Sequence, residues 1–158
     1  MKKTNAMRIL DRHKVDYQTF QYPHEGKALE GGQVAELMGQ DPRHVFKTLV
    51  TVGAGGGIYV FVIPVCKELD LKKAAAAVKE KSVSMLQTAK LLETVGYMRG
   101  ACTPIGMKKS FTTLFDASAE ECGYIFISGG CLGSQIKARP GDIMACCGAG
   151  TAEITAEP

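Results

Sequence analysis

The sequence predicts an α+β fold, a mixed and mostly antiparallel sheet curled towards a barrel and flanked by helices. Three observations predict it. Strand and helix patterns interleave without the regular repeat of βαβ units. Two strand patterns, residues 45–52 and 58–65, are joined by Gly53-Ala54-Gly55-Gly56-Gly57 as a hairpin. The first of these, Val45-Phe46-Lys47-Thr48-Leu49-Val50-Thr51-Val52, is largely apolar on both faces, as a buried strand is. With 158 residues, 46% hydrophobic and 22% charged, the chain has the size and composition of one domain, spanning 1–158, with a substantial core.

The elements follow in order. Thr4 or Asn5 caps a first helix with Met7, Leu10 and Lys14 along one side. Residues 15–22 alternate as a strand that ends at Pro23, and residues 24–32 form a loop rich in glycine and charge. Gln33 to Met38 is a short helix closed by Gly39, and Asp41-Pro42 opens one helical turn before the lysine-bearing strand. Beyond the hairpin, Asp70 caps a helix from Leu71 to Lys79, residues 82–85 form a short strand, and Thr88 to Val95 is a helix stopped by Gly96. Phe111 to Phe115, Tyr124 to Ser128 and Gln135 to Ala138 read as strands. Residues 139–142 read as a turn in which Asp142 caps a last short helix, and the small, polar tail after Gly148 reads as frayed.

Composition narrows the function. No apolar run reaches transmembrane length, and the N-terminus leads into an amphipathic helix instead of a signal-peptide core, so the expected setting is cytoplasmic with no membrane. A net charge of +3 permits an anionic partner without demanding one. The six cysteines include no CxxC, and His13, His24 and His44 have no ligand spacing to them, so neither a metal nor a cofactor is expected. Reduced thiols are the simplest state, since a Cys146-Cys147 disulfide would close a strained ring.

Lys47 is the energetic anomaly. An ammonium in an apolar strand is costly unless something anionic meets it, so Lys47 reads either as a ligand-binding cation or as a gatekeeper on an edge strand. Glycine-bearing loops at 99–106 and at Ser128-Gly129-Gly130, and the loop by Tyr22, can bring backbone amides close to a ligand. With Lys47 and Thr48 they outline an anion or oxyanion pocket. No GxSxG, HExxH or Cys/His pair is present. Ser128 remains a candidate nucleophile. Cys102, with Arg99 near, is either a reactive thiol or a buried filler. The lysines of residues 67–81 read as a solvated face, whereas Lys108 and Lys109 beside the loop suit nucleic-acid phosphates.

Thr4-Asn5-Ala6 with Leu10, Phe20 to His24, Val45 to Val50, Leu69 to Lys73, Gly96-Tyr97 with Gly100 to Lys109, and Ile127 to Gly130, in that order and spacing, resemble the YbaK/EbsC family of free-standing aminoacyl-tRNA deacylases. The same fold is the editing insertion of bacterial prolyl-tRNA synthetases. The resemblance implies removal of wrongly attached cysteine from tRNA for proline, by attack of the substrate's own thiol on its ester. The partners it implies are aminoacyl-tRNA and, transiently, prolyl-tRNA synthetase, with no DNA. Carried over, the family's site falls on Tyr22, Lys47, Thr48, Gly100 and Ser128. Lys47 and the amides of Gly100 and Ala101 are then the expected catalytic groups. Tyr22, Thr48, Ser128, Gly129 and Gln135 would hold the substrate, with Lys108 and Lys109 on the tRNA. Gln135 departs from the pattern, standing where the cysteine-specific members carry aspartate. This leaves open another substrate, such as Ala-tRNA(Pro), or a non-catalytic regulator that binds tRNA or a synthetase.

Overall fold

A computed structural model describes residues 2–157. Its helices are α1 (Asn5–Arg12), α2 (Gly31–Met38), α3 (Leu71–Ala77), α4 (Thr88–Val95) and α5 (Pro140–Cys147). Its strands are β1 (Tyr17–Gln21), β2 (Phe46–Gly53), β3 (Ile58–Pro64), β4 (Val83–Met85), β5 (Thr112–Asp116), β6 (Ile125–Ser128), β7 (Ser134–Ala138) and β8 (Gly150–Ala152). They form two sheets, β1-β7-β6 and β4-β2-β3-β5-β8, joined by a single parallel bridge between Val45 and Phe126. The α+β class therefore holds. The pairing is antiparallel except where β5 runs parallel to both β3 and β8, and the two sheets do not close into a barrel.

The helix ends follow local chemistry. Thr4 Oγ1 accepts from the Met7 amide at 3.2 Å and donates to Gly129 O at 2.6 Å, so the cap of α1 also ties down the loop after β6. Gly39 and Gly96 end α2 and α4 in the left-handed region, at φ +64° and +92°. Asp70 caps α3 with bonds to the Lys72 and Lys73 amides.

Most boundaries shift by a residue or two, and three differences from the sequence reading have a clear cause. Helix α2 takes in Gly31 and Gly32, because its first turn packs against Val65: a Cβ on Gly31 would stand 2.4 Å from Val65 Cγ1. Helix α5 is capped by Arg139 with Pro140 in its first turn, so Asp142 lies inside the helix. The tail is not frayed: β8 pairs with β5, and Leu69 bridges Thr155.

Strand β3 separates two cores. Val60 and Val62 face a cluster with Met7 and Leu10 of α1, Phe115, Ile125, Ile127, Ile136 and Ile143. Phe61 and Ile63 face the other way, onto Ala74 and Ala75 of α3, Val83 and Ile154. Ile154 explains the ordered tail. It is fully buried, its amide donates to Asp116 Oδ1 at 3.2 Å, and its carbonyl accepts from the Asp70 amide at 2.8 Å. Ile154→Ala is expected to cost about 2–5 kcal/mol, through lost burial and the cavity left behind. Urea denaturation measures this, and a loss below about 1 kcal/mol would show that the tail is not anchored there.

Candidate active site

The strand pairings leave a gap. Val45 is bridged to β6, and β4 with Leu86 after it pairs with β2 only from Val50 onward. Between these points the edge of β2 at Lys47, Thr48 and Leu49 is open, so consecutive residues of the strand reach one cleft despite the alternation of strand side chains. The cleft has a volume of about 560 Å³, within the range of small-molecule sites. Its other walls are Tyr22, Ser128 and Gln135 from the end of the three-stranded sheet, the start of α2, the turn at Val65 and Glu68, and Arg99, Gly100 and Cys102.

Each expected residue has a definite place. Tyr22, Lys47, Thr48, Gly100, Ser128 and Gln135 all line the cleft. Lys47 is half-buried and forms no ion pair among the described residues. Burial pushes the Tyr22 phenol up, so it stays a neutral hydroxyl at physiological pH. Ser128 Oγ donates to Ala101 O at 2.9 Å and accepts from the Gly130 amide at 3.2 Å, which holds it as a strut between two loops. Thr48 Oγ1 and Gln135 Oε1 are buried without a hydrogen-bond partner among the described residues. Buried polar atoms are nearly always paired; Thr103 Oγ1 and Ser134 Oγ are unpaired too but do not line the cleft, so Thr48 and Gln135 are the two that a ligand in it can reach.

Gly100 has φ +85°, and a Cβ there would come within 2.8 Å of Ala28 Cβ and Leu132 Cδ2. Glycine is thus required twice, by backbone conformation and by the meeting of three loops. The neighbouring Ala101 does not line the cleft. Its amide is used by Met98 O at 3.0 Å, so the oxyanion role expected of it is filled by an internal turn instead. Gly129 also lies behind the wall: its amide donates to Ser134 O, and a Cβ on it would collide with Ser134 Oγ. Lys108 and Lys109 are away from the cleft. Lys108 Nζ donates to Glu93 O near the end of α4, and Lys109 lines a separate pocket with Ile9, Phe111 and Cys146. The cation that this loop does bring to the cleft is Arg99. Sequence reasoning noted Arg99 only as a neighbour of Cys102, and it missed Glu30, Gly31, Gly32 and Glu68 on the cleft wall, because nothing in their local pattern reports a tertiary gap.

The thiols divide by exposure. Burial pushes Cys102 up to about 12 and Cys147 up to about 11, so both are held as protonated thiols near neutral pH, and Cys102 packs into the cleft wall. Cys66 and Cys131 are exposed. Alkylation with iodoacetamide at pH 8, followed by mass spectrometry, is expected to label Cys66 and Cys131 first and Cys102 and Cys147 last. Early labelling of Cys102 would return it to the list of reactive groups.

A cleft with two cations and two carboxylates, unpaired acceptors and no histidine among its described lining residues suits a ligand with both an anionic and a cationic part, such as an aminoacyl ester of a nucleotide, better than a hydrolase triad. Comparison with known proteins agrees. Residues 28–146 match the aminoacyl-tRNA editing domain, and the chain belongs to that family. Editing of this kind removes an amino acid from its tRNA by cleaving the ester, so the protein is an aminoacyl-tRNA deacylase. One relative, from Enterococcus faecalis, is the protein EbsC, named for deacylation of Cys-tRNA(Pro) and Cys-tRNA(Cys). It is 44% identical over 153 residues, 97% of this chain and 93% of its own length. The fold is also that of a crystal structure described as a trans-editing enzyme for prolyl-tRNA synthetase, with TM-score 0.81 and 21% identity over 99% of this chain and all of the other. A further solved structure, of a hypothetical protein, matches with TM-score 0.84 and 19% identity, covering 94% of this chain and 97% of the other. No helix among the described residues is long and apolar enough to cross a membrane.

Proposed function

We propose that this chain, as one editing domain acting in the cytoplasm, removes mischarged cysteine from Cys-tRNA(Pro), with correctly charged Cys-tRNA(Cys) as a second substrate, through the substrate's own thiol. The observation that carries the reading is the absence of a free protein nucleophile among the described residues of the cleft. Ser128 Oγ is held by two backbone partners and the Cys102 thiol is pushed to about 12. The attack is then left to water or to a group on the substrate, and the cysteine thiol is the stronger nucleophile and is already held beside the ester carbonyl. Its sulfur attacks its own ester carbonyl and forms a C–S bond. The bond from that carbon to the ribose oxygen breaks, and the thiol proton passes to the departing oxygen. The products are a cyclic thioester of cysteine and free tRNA. An attack within one bound molecule gains from proximity. Lys47 holds the terminal adenosine or the ester oxygen as negative charge develops, the Gly100 amide faces the same charge, and Tyr22 and Thr48 position the amino acid or ribose. The tRNA would be met after release from prolyl-tRNA synthetase or in transient complex with it. Such an activity adds the discrimination that a synthetase pocket cannot supply between side chains of similar size.

The neutral amide of Gln135, in place of an acid, supports a second reading in which alanine is the amino acid removed. Deacylation of tRNA(Pro) charged with cysteine, alanine, serine or proline separates the two. Thiol assistance predicts that cysteine is lost roughly ten- to a hundred-fold faster than alanine or serine. Equal loss of cysteine and alanine would overturn it.

A further inference from the structure

We propose that the Glu68 carboxylate binds the α-ammonium group of the aminoacyl ester, a positioning contact that rests on the deacylase reading above. Three features point to it. Glu68 lines the same cleft as Lys47 and Arg99, yet makes no ion pair among the described residues. Gln135 and Thr48 line that cleft with Oε1 and Oγ1 unpartnered among the described residues, and Gln135 is 5% exposed whereas Glu68, at the rim, is exposed. A primary ammonium has three N–H donors. The Glu68 carboxylate supplies a charged acceptor on the same cleft as Gln135, so a neutral residue at 135 need not leave the ammonium without a counterion.

The backbone around Glu68 is fixed from outside the cleft. The Ala156 amide donates to Glu68 O at 2.9 Å, Leu69 bridges Thr155, and the Asp70 amide donates to Ile154 O at 2.8 Å. Lys73 Nζ closes the strap onto Thr155 O at 2.9 Å. The C-terminal residues thus hold rigid the turn that carries this carboxylate, and residues positioned on rigid elements hold ligand geometry best. Glu30, the other carboxylate on the cleft, stands at the N-cap of α2, where its favourable partner is the positive end of its own helix.

The decisive probe is a non-cleavable analogue, adenosine carrying cysteine through a 3′-amide, with its α-amine either free or acetylated. Titration calorimetry would measure both against the wild-type protein and Glu68→Gln. The wild type is expected to bind the free amine about five- to twenty-fold more tightly than the acetylated form, the range of one partly solvated charged contact. Glu68→Gln is expected to lose that preference while binding the acetylated analogue as the wild type does. A preference that survives in Glu68→Gln, or an equal loss for both analogues, would overturn the assignment. Because these analogues are not turned over, the result stands apart from the deacylase reading, which fails separately if the wild type deacylates no aminoacyl-tRNA.

Discussion

Lys47→Ala is expected to lower kcat for Cys-tRNA(Pro) by about a hundred- to a thousand-fold, while the thermal midpoint stays within a few degrees of the wild type. The two halves of this expectation come from different features. The ammonium sits at the open edge of β2 with no ion-pair partner among the described residues, so its removal leaves no buried partner unsatisfied. Substitutions away from such partners usually change stability by about 0.5 kcal/mol or less. Its value lies in the reaction. A fixed cation aimed at developing negative charge lowers the barrier by about 3–4 kcal/mol, close to the effect of one oxyanion donor. Lys47→Arg keeps the charge but replaces a compact ammonium with a planar fork, and should recover only part of the rate. If Lys47→Met, which keeps the length of the side chain, deacylates at the wild-type rate, the lysine is a gatekeeper on an exposed strand edge and the site must be redrawn.

The arrangement around Lys47 explains what was legible in the sequence. Local rules carried the helix ends: Thr4, Asp70, Gly39 and Gly96 each act within a turn of their own position, so their chemistry is visible without the fold. Contacts distant along the chain were invisible. The first turn of α2 contains two glycines that read as loop, and only the approach of Val65 explains why glycine is needed at the first of them, Gly31. The tail offered Ile154 as a single apolar residue among small polar ones, too short a pattern to announce that it completes a core with Phe61 and Ala74. The site divides in the same way. Lys47 stood out because a charge in an apolar strand is an anomaly wherever the strand lies. Ala101 and Gly129 were assigned to the site by adjacency, but neighbours in a loop face opposite ways, and both amides serve the loops themselves. Arg99 and Glu68 are ordinary exposed charges in sequence, and they become functional candidates only once β2, β6 and the 99–102 loop enclose a common space.

Gly100→Ala is expected to be the second most damaging change, because it strikes fold and site together. The left-handed backbone at φ +85° costs a non-glycine residue about 1–2 kcal/mol. The added methyl would also press on Ala28 Cβ and Leu132 Cδ2 at 2.8 Å, and on the Ala28 backbone at 3.0 Å, so the 24–30 and 131–133 loops must move apart. A displacement of about 1 Å in residues that orient a substrate costs on the order of a hundred-fold in rate. Activity should therefore fall further than stability alone predicts. Gly39→Ala is the matching control: its φ is +64°, nothing lies within 4 Å of the added methyl, and it closes α2 at the end away from the cleft. That variant should lose about 1 kcal/mol of stability and retain the wild-type rate. Urea denaturation and single-turnover deacylation, measured on both variants, separate backbone strain from loop displacement. If Gly100→Ala and Gly39→Ala lose activity equally at matched stability, the close meeting of the three loops has no bearing on the chemistry. If only Gly100→Ala loses it, the packing of Ala28 and Leu132 against Gly100 sets the position of the ester.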